Sequence, residues 1–317
     1  MKRVAVYLLL LGLTAGLSIL IWQKRWDIHD WAVLRGYDAP SQIAQISSDT
    51  AFSEYGERLF YVSKPSLLGP EEFNEKCPDR ESSIILGCYD GINIYVYDVN
   101  DPRVADVEEV TSAHEMLHAA YDRLNDEELA ELREWLQIAW DNVDNQRVLD
   151  SIQSYVDGGI EDIYNEVHSI VGTEVRDIPD YLEDHYAQFF TDRTVVVAMS
   201  EGYESVFVEI EEASEKLRSQ LSVLKIEIDT GQARLSARSV EINTNKVQLD
   251  SLLASGQIEQ YNDLVPAYND SIETYNRDVA SMRARIKEYN ELVFELNRLS
   301  VENNAIYTAI DSNPEEL

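Results

Sequence analysis

Cysteine is nearly missing from this 317-residue chain, which has two, Cys77 and Cys88. One pair cannot build a cysteine-ligated zinc knuckle, which needs two pairs at short spacing, and a separation of eleven residues is not that of a knuckle either. An even count with nothing left over suits a single disulfide around a short polar loop; two unrelated thiols are the alternative. Positive charge is scarce as well. Lys and Arg number 26 against 59 Asp and Glu, a net charge of −33, and such a surface repels polyanions, so no nucleic acid is expected as a partner. Histidine is also sparse, with five in the chain, which gives weight to any regular spacing among them.

Two of the five stand four apart, in His114-Glu115-Met116-Leu117-His118. They lie within residues 110–124, a segment with no glycine or proline and good helix formers throughout. At 3.6 residues per turn both imidazoles project from one helical face, where they can take two corners of a tetrahedral zinc site. Glu115 then lies beside the metal and not on it, where a general base takes a proton from water. Ala113, Met116, Leu117, Ala119, Ala120 and Leu124 would wrap this helix in small and apolar contacts, as in an element packed inside a domain. Thr111 or Ser112 can cap its start. The plainer alternative is an exposed acidic helix that happens to carry two histidines.

Along the chain, Lys2-Arg3 is followed at residues 4–22 by an apolar or small-residue run, about the length that crosses a bilayer. The run stays bulky to its end, unlike a cleavable signal, so residues 1–23 read as a transmembrane signal anchor. Lys24 and Arg25 match Lys2 and Arg3, which leaves orientation open. The charge and the cysteine pair favour a body held outside the cytoplasmic membrane, more naturally in a bacterial envelope than in a eukaryotic lumen. Residues 24–205 read as an α+β domain, mostly helical with a small sheet. Its clearest strand is 92–99, and helical patterns run near 112–124, 126–143, 147–156, 160–171 and 179–200. Residues 206–317 differ in kind. Between Phe207 and Ile310 there are one proline and two glycines, and Tyr261, Tyr268, Tyr275, Met282, Tyr289 and Leu296 recur every seventh position. Leu217, Leu221, Leu224, Ile228, Leu235, Ile242 and Leu249 form a second seam, interrupted by Gly231, Arg238 and Asn245. With Ser255-Gly256 between the seams, the expected fold is an antiparallel coiled-coil helical hairpin, open to self-association or a protein partner. Its tyrosines read as packing residues with wet hydroxyls.

Two histidines do not complete a catalytic zinc site, and the third ligand is open between Glu166, His168 and Glu174 on a helical segment at 164–174. Here the chain resembles the gluzincin metallopeptidases, the thermolysin-like branch of H-E-x-x-H enzymes. Their third-ligand helix carries an Asn-Glu-x-x-Ser run followed by Gly-Thr, and Asn165-Glu166-Val167-His168-Ser169 followed by Gly172-Thr173 is similar. The resemblance covers about residues 92–190. It implies Zn2+ held by His114, His118 and Glu166, with Glu115 as base. It also implies an oxyanion-stabilising His or Tyr, a role for which His185 and Tyr186 are the candidates, with a half-buried helical position as their alternative. The strand at 92–99 resembles the zincin edge strand that pairs with an extended substrate. The chain departs from the family pattern where an Asp often follows the ligand Glu: Ser169-Ile170 stand there, so the partner that orients a ligand histidine is unidentified. The metzincin pattern is excluded, because neither Gly nor a third His follows His118. The reading is therefore a membrane-anchored, extracytoplasmic zinc endopeptidase acting on protein or peptide. The alternative is a coiled-coil scaffold or binding protein carrying a structural or inactive zinc domain.

Overall fold

The computed structural model describes residues 13–14, 16–18, 20–78 and 84–312. The chain divides into two units, one of residues 1–206 with 306–317 and the other of residues 207–305.

The first unit is mostly helical around a three-stranded sheet. Helices α1 (Arg25–Leu34), α2 (Ser41–Asp49) and α3 (Glu54–Val62) precede strand β1 (Ser66–Leu68), and α4 (Pro70–Lys76) follows it. Strands β2 (Gly87–Tyr89) and β3 (Ile94–Tyr97) make a hairpin. Helices α5 (Val107–Tyr121), α6 (Asp126–Asp141), α7 (Gln146–Gly158), α8 (Ile163–Glu174) and α9 (Asp180–Tyr186) complete it. The long helix α10 (Arg193–Ala254) begins in this unit, and the long helix α11 (Ile258–Ile310) ends in it. Several helix starts are written locally. Ser53 accepts from the Gly56 amide, Asn145 from the Arg147 amide, and Asn125 with Glu128 forms a reciprocal capping box.

A small sheet with helices is the arrangement expected, but details differ. Four helices occupy residues 25–76, a stretch in which the sequence pattern marked no helix. The strand expected at 92–99 is β3, and it is central: the sheet order is β1-β3-β2, with β1 parallel and β2 antiparallel to it. Both sides of β3 are taken, so among the described residues the edge strands are β1 and β2, and β2 is the one beside helix α5. Helix α5 starts at Val107, so Thr111 lies inside it and its hydroxyl donates back to the Val107 carbonyl at 2.7 Å instead of capping. The helix expected at 179–200 breaks after Tyr186, and the long helix begins at Arg193, upstream of the expected boundary.

The expected membrane anchor is corrected. Among the described residues, no helix is long and apolar enough to cross a membrane. The described helical stretch from Leu20 runs within a few residues into Lys24, Arg25, Asp27 and Asp30, whereas a bilayer core needs about 20 predominantly apolar positions. This goes against the single-pass placement. Residues 1–12, 15 and 19 of the expected anchor lie outside the described residues.

What positions the site is the packing around α5. Met116 and Leu117 are fully buried, each contributing about 1.5–3 kcal/mol through removal of apolar surface from water. Helix α5 packs most extensively against α8, with β2 and β3 also on it. The approach of α8 is close enough that a Cβ at Gly172 would come within 2.4 Å of Leu117 Cδ1 and 2.7 Å of Tyr186 Cε1. Past the end of α5, Arg123 donates two 2.8 Å hydrogen bonds to the buried carboxylate of Asp30, which fastens α1 to this helix. A disulfide joins Cys77, just past α4, to Cys88 on β2.

The second unit consists of most of α10 and α11. Leu224, Leu249, Met282 and Leu299 are buried along it. Two of the three interruptions of the heptads meet the other helix: Arg238 bonds Asp278 at 3.0 Å, and a Cβ at Gly231 would meet Met282 Cε at 2.1 Å.

Candidate metal centre

Helix α5 carries His114, Glu115 and His118 on one side, and the potential ligand atoms of these three lie within 4.8 Å of one another. Helix α8 brings Glu166 against them. Its Oε2 is 3.5 Å from Nε2 of His114 and 3.5 Å from Nε2 of His118. Ligands of a tetrahedral zinc at its usual bond lengths stand about 3.4 Å apart, so both distances from Glu166 suit such an ion. Among the described residues, no other carboxylate lies within ion-pair reach of both imidazoles. Burial raises the Glu166 carboxyl, but the neighbouring His118 and His114 outweigh it and hold the group below the ordinary carboxylate range. Glu115 faces the opposite balance. Burial pushes its carboxyl up to about 7, opposed by His118 and reinforced by Glu166.

The orienting partner that the sequence left unidentified for a ligand histidine is Asn165. Nδ1 of His118 lies 3.0 Å from the Asn165 side-chain oxygen, so Nδ1–H donates there and the Nε2 lone pair is left for a metal.

These groups lie in a cavity of about 370 Å3. Lys76, the Cys77–Cys88 disulfide, Gly87 and Tyr89 wall one side, and Tyr155 of α7 lines it with Asn165 and Glu166. Gly87 is where β2 passes over α5: a Cβ there would stand 2.5 Å from Thr111 Cγ2 and 2.8 Å from Glu115 Oε1. The Tyr97 amide donates to Leu86 O and the Asp90 amide to Asn93 O. With the observed register, Cys88 also faces β3, and the N–H and C=O groups of Gly87 and Tyr89 point to the open edge beside the cavity.

The other expected residues fall elsewhere. Tyr186 is fully buried, and its hydroxyl donates to the His168 carbonyl at 2.7 Å. His185 lines a different cavity, together with Trp26, Trp135 and Phe189. Neither is brought to the cleft, because α9 turns these side chains into the core beside α8. His168 is fully buried with its Nε2 on His185 Nε2 at 2.9 Å. Glu174 lies two turns beyond Glu166, and burial raises its carboxyl to about 7, opposed by His114. Asn165, Tyr155 and Gly87 escaped the sequence reading. Asn165 stood within the quoted run, and Tyr155 could have been sought on α7, one of the two helices between α5 and α8. Comparison with family models, with curated proteins and with solved structures gives no match to this chain.

Proposed function

We propose that the chain is a zinc-dependent endopeptidase of the gluzincin kind, its first unit zincin-like, with Zn2+ held by His114, His118 and Glu166. The observation that carries this reading is the meeting of Glu166, from a second helix, with both imidazoles at 3.5 Å. A zinc ion there supplies Lewis acidity, polarising a peptide carbonyl and acidifying water. Glu115 acts as general base on that water and passes the proton to the leaving amine. Tyr155 is assigned the role of oxyanion donor, in place of His185 or Tyr186. The outward backbone groups of Gly87 and Tyr89 pair with an extended peptide, an arrangement tolerant of sequence.

The second unit is read as an antiparallel coiled-coil hairpin. The pairing of position 231 with 282 and of 238 with 278 runs in opposite directions along the two helices, which supports that reading. Exposed Val240, Val247, Phe294 and Val301 give it surface for a protein partner or a second copy.

Elemental analysis of the purified chain tests the metal, with about one zinc expected in the parent and little in His114→Ala or Glu166→Ala. The Glu115→Gln variant is expected to retain zinc while peptide hydrolysis falls by about 10²–10⁴-fold. An active Glu115→Gln variant overturns the mechanism. A zinc-loaded parent that cleaves no peptide returns the chain to the scaffold reading.

A further inference from the structure

The cleft does not end at the metal. A second cavity, of about 300 Å3, shares Tyr89, Gly91 and Asp122 with the first and lies at the Tyr89 end of β2. Its wall has an apolar part, made by Trp26 and Val33 of α1, Val62 of α3, Ala119 of α5 and Ile92 of the β2–β3 turn, and a charged part that includes Lys64, Asp122 and Arg123. One of these side chains is poorly accounted for by folding alone: Ile92 is 71% exposed at a hairpin turn, a place where Asn, Asp or Gly is the usual choice. Trp26, 37% exposed, packs under the Arg123 guanidinium at 4.8 Å and keeps the rest of its ring for the cavity. The wall is also held firmly. Asp30 of α1, 2% exposed, takes both hydrogen bonds from Arg123 and lies 3.6 Å from Arg58, so α1 is pinned one residue past Asp122. A preformed recess that joins apolar side chains to a few polar groups and opens onto a reaction cleft is the usual form of a side-chain pocket.

We propose that this cavity is a specificity subsite that takes a large apolar or aromatic side chain of a peptide lying along β2. The inference rests on the peptidase reading above. Gly87 stands beside Glu115, and Tyr89 and Gly91 lie two and four positions further along the chain. An extended peptide advances about 3.3 Å per residue, as the strand does, so the selected residue sits about two to four positions from the bond cleaved. A peptide antiparallel to β2, the pairing that β2 already makes with β3, has its amino-terminal side at this end. The selected residue therefore precedes the scissile bond.

The test uses the zinc-loaded full chain and peptide pairs with Phe or Ala at those positions, with products mapped by mass spectrometry. The Phe peptide is expected to exceed the Ala peptide in kcat/KM by about tenfold or more at one of the positions. Ile92→Ser and Trp26→Ala are expected to bring that ratio close to one with zinc content unchanged. Trp31→Ala, on the same helix but outside the cavity wall, is the control that keeps the ratio. A ratio unaffected by Ile92→Ser and Trp26→Ala overturns the subsite. The same peptides are titrated by fluorescence anisotropy against the Glu115→Gln variant. Phe-selective binding that depends on Trp26, in a chain whose parent cleaves nothing, removes the peptidase reading and leaves the subsite standing. Binding that does not distinguish Phe from Ala removes the subsite whatever the cleavage assay shows.

Discussion

The side chain of Asn165 carries no charge, yet its oxygen decides which nitrogen of His118 is available to a metal. Asn165→Ala is expected to weaken zinc binding by about 10–100-fold, and Asn165→Asp, which still accepts from Nδ1–H, to keep it near the parent value. Competition with a chromophoric chelator measures both, and equal affinities in all three proteins would show that the contact orients nothing. A different residue carries a pH dependence remote from the metal. Glu108 accepts from the Val99 amide at 2.8 Å, and burial pushes its carboxyl up to about 7. In the unfolded chain the group titrates near its usual value, so between about pH 4.5 and 7 the folded state holds the extra proton and stability falls as pH rises. Glu108→Gln is expected to reduce the stability lost between pH 5 and pH 8 by about 1–2 kcal/mol, after allowance for solvent screening of this half-buried group. Urea denaturation of parent and variant at the two pH values checks it. At this scale the pentapeptide 114–118 could be read because helix geometry and metal chemistry require the same spacing. The Asn165 contact spans 47 residues, and no local pattern encodes which side chain arrives opposite an imidazole. His185 and Tyr186 suited the oxyanion role by type, but which way α9 faces depends on packing against α8.

Among elements, the long amphipathic helices were the most legible and the short strands the least. Strand β2 has three residues, too few for alternation to show, so the open edge was assigned to β3, whose β-branched and aromatic run is the stronger signal. The helices within 25–76 are seven to ten residues long and depend on tertiary contacts more than on propensity. Gly231, an interruption of the seam in sequence, is the seat of Met282 in the structure. The atom a Cβ would crowd is the end of the flexible Met282 side chain, which can swing aside, so Gly231→Ala alone is expected to stabilise the second unit by less than the gain of about 1 kcal/mol that helix propensity gives. In a Met282→Ala background the same change is expected to stabilise by about 1 kcal/mol. Urea unfolding followed by circular dichroism at 222 nm reads the difference. The same effect in both backgrounds would show that the contact has no energetic weight.

At the level of the whole molecule, two parts of different kind were legible from the shift in glycine, proline and heptad content near residue 206. The return of the chain at residue 306 was not, because the apolar pattern of α11 continues through Ile306 and Ile310 without a break. Those two residues are buried, and Ser312 and Asn74 exchange hydrogen bonds within the first unit. The helical pair is therefore an insertion tethered at both ends, with no free terminus from which to fray. A single proteolytic nick at Ser255–Gly256 would leave two polypeptides, each with one end built into the first unit. They are expected to co-elute in gel filtration as a complemented whole, and to separate only when denaturant dissolves that unit.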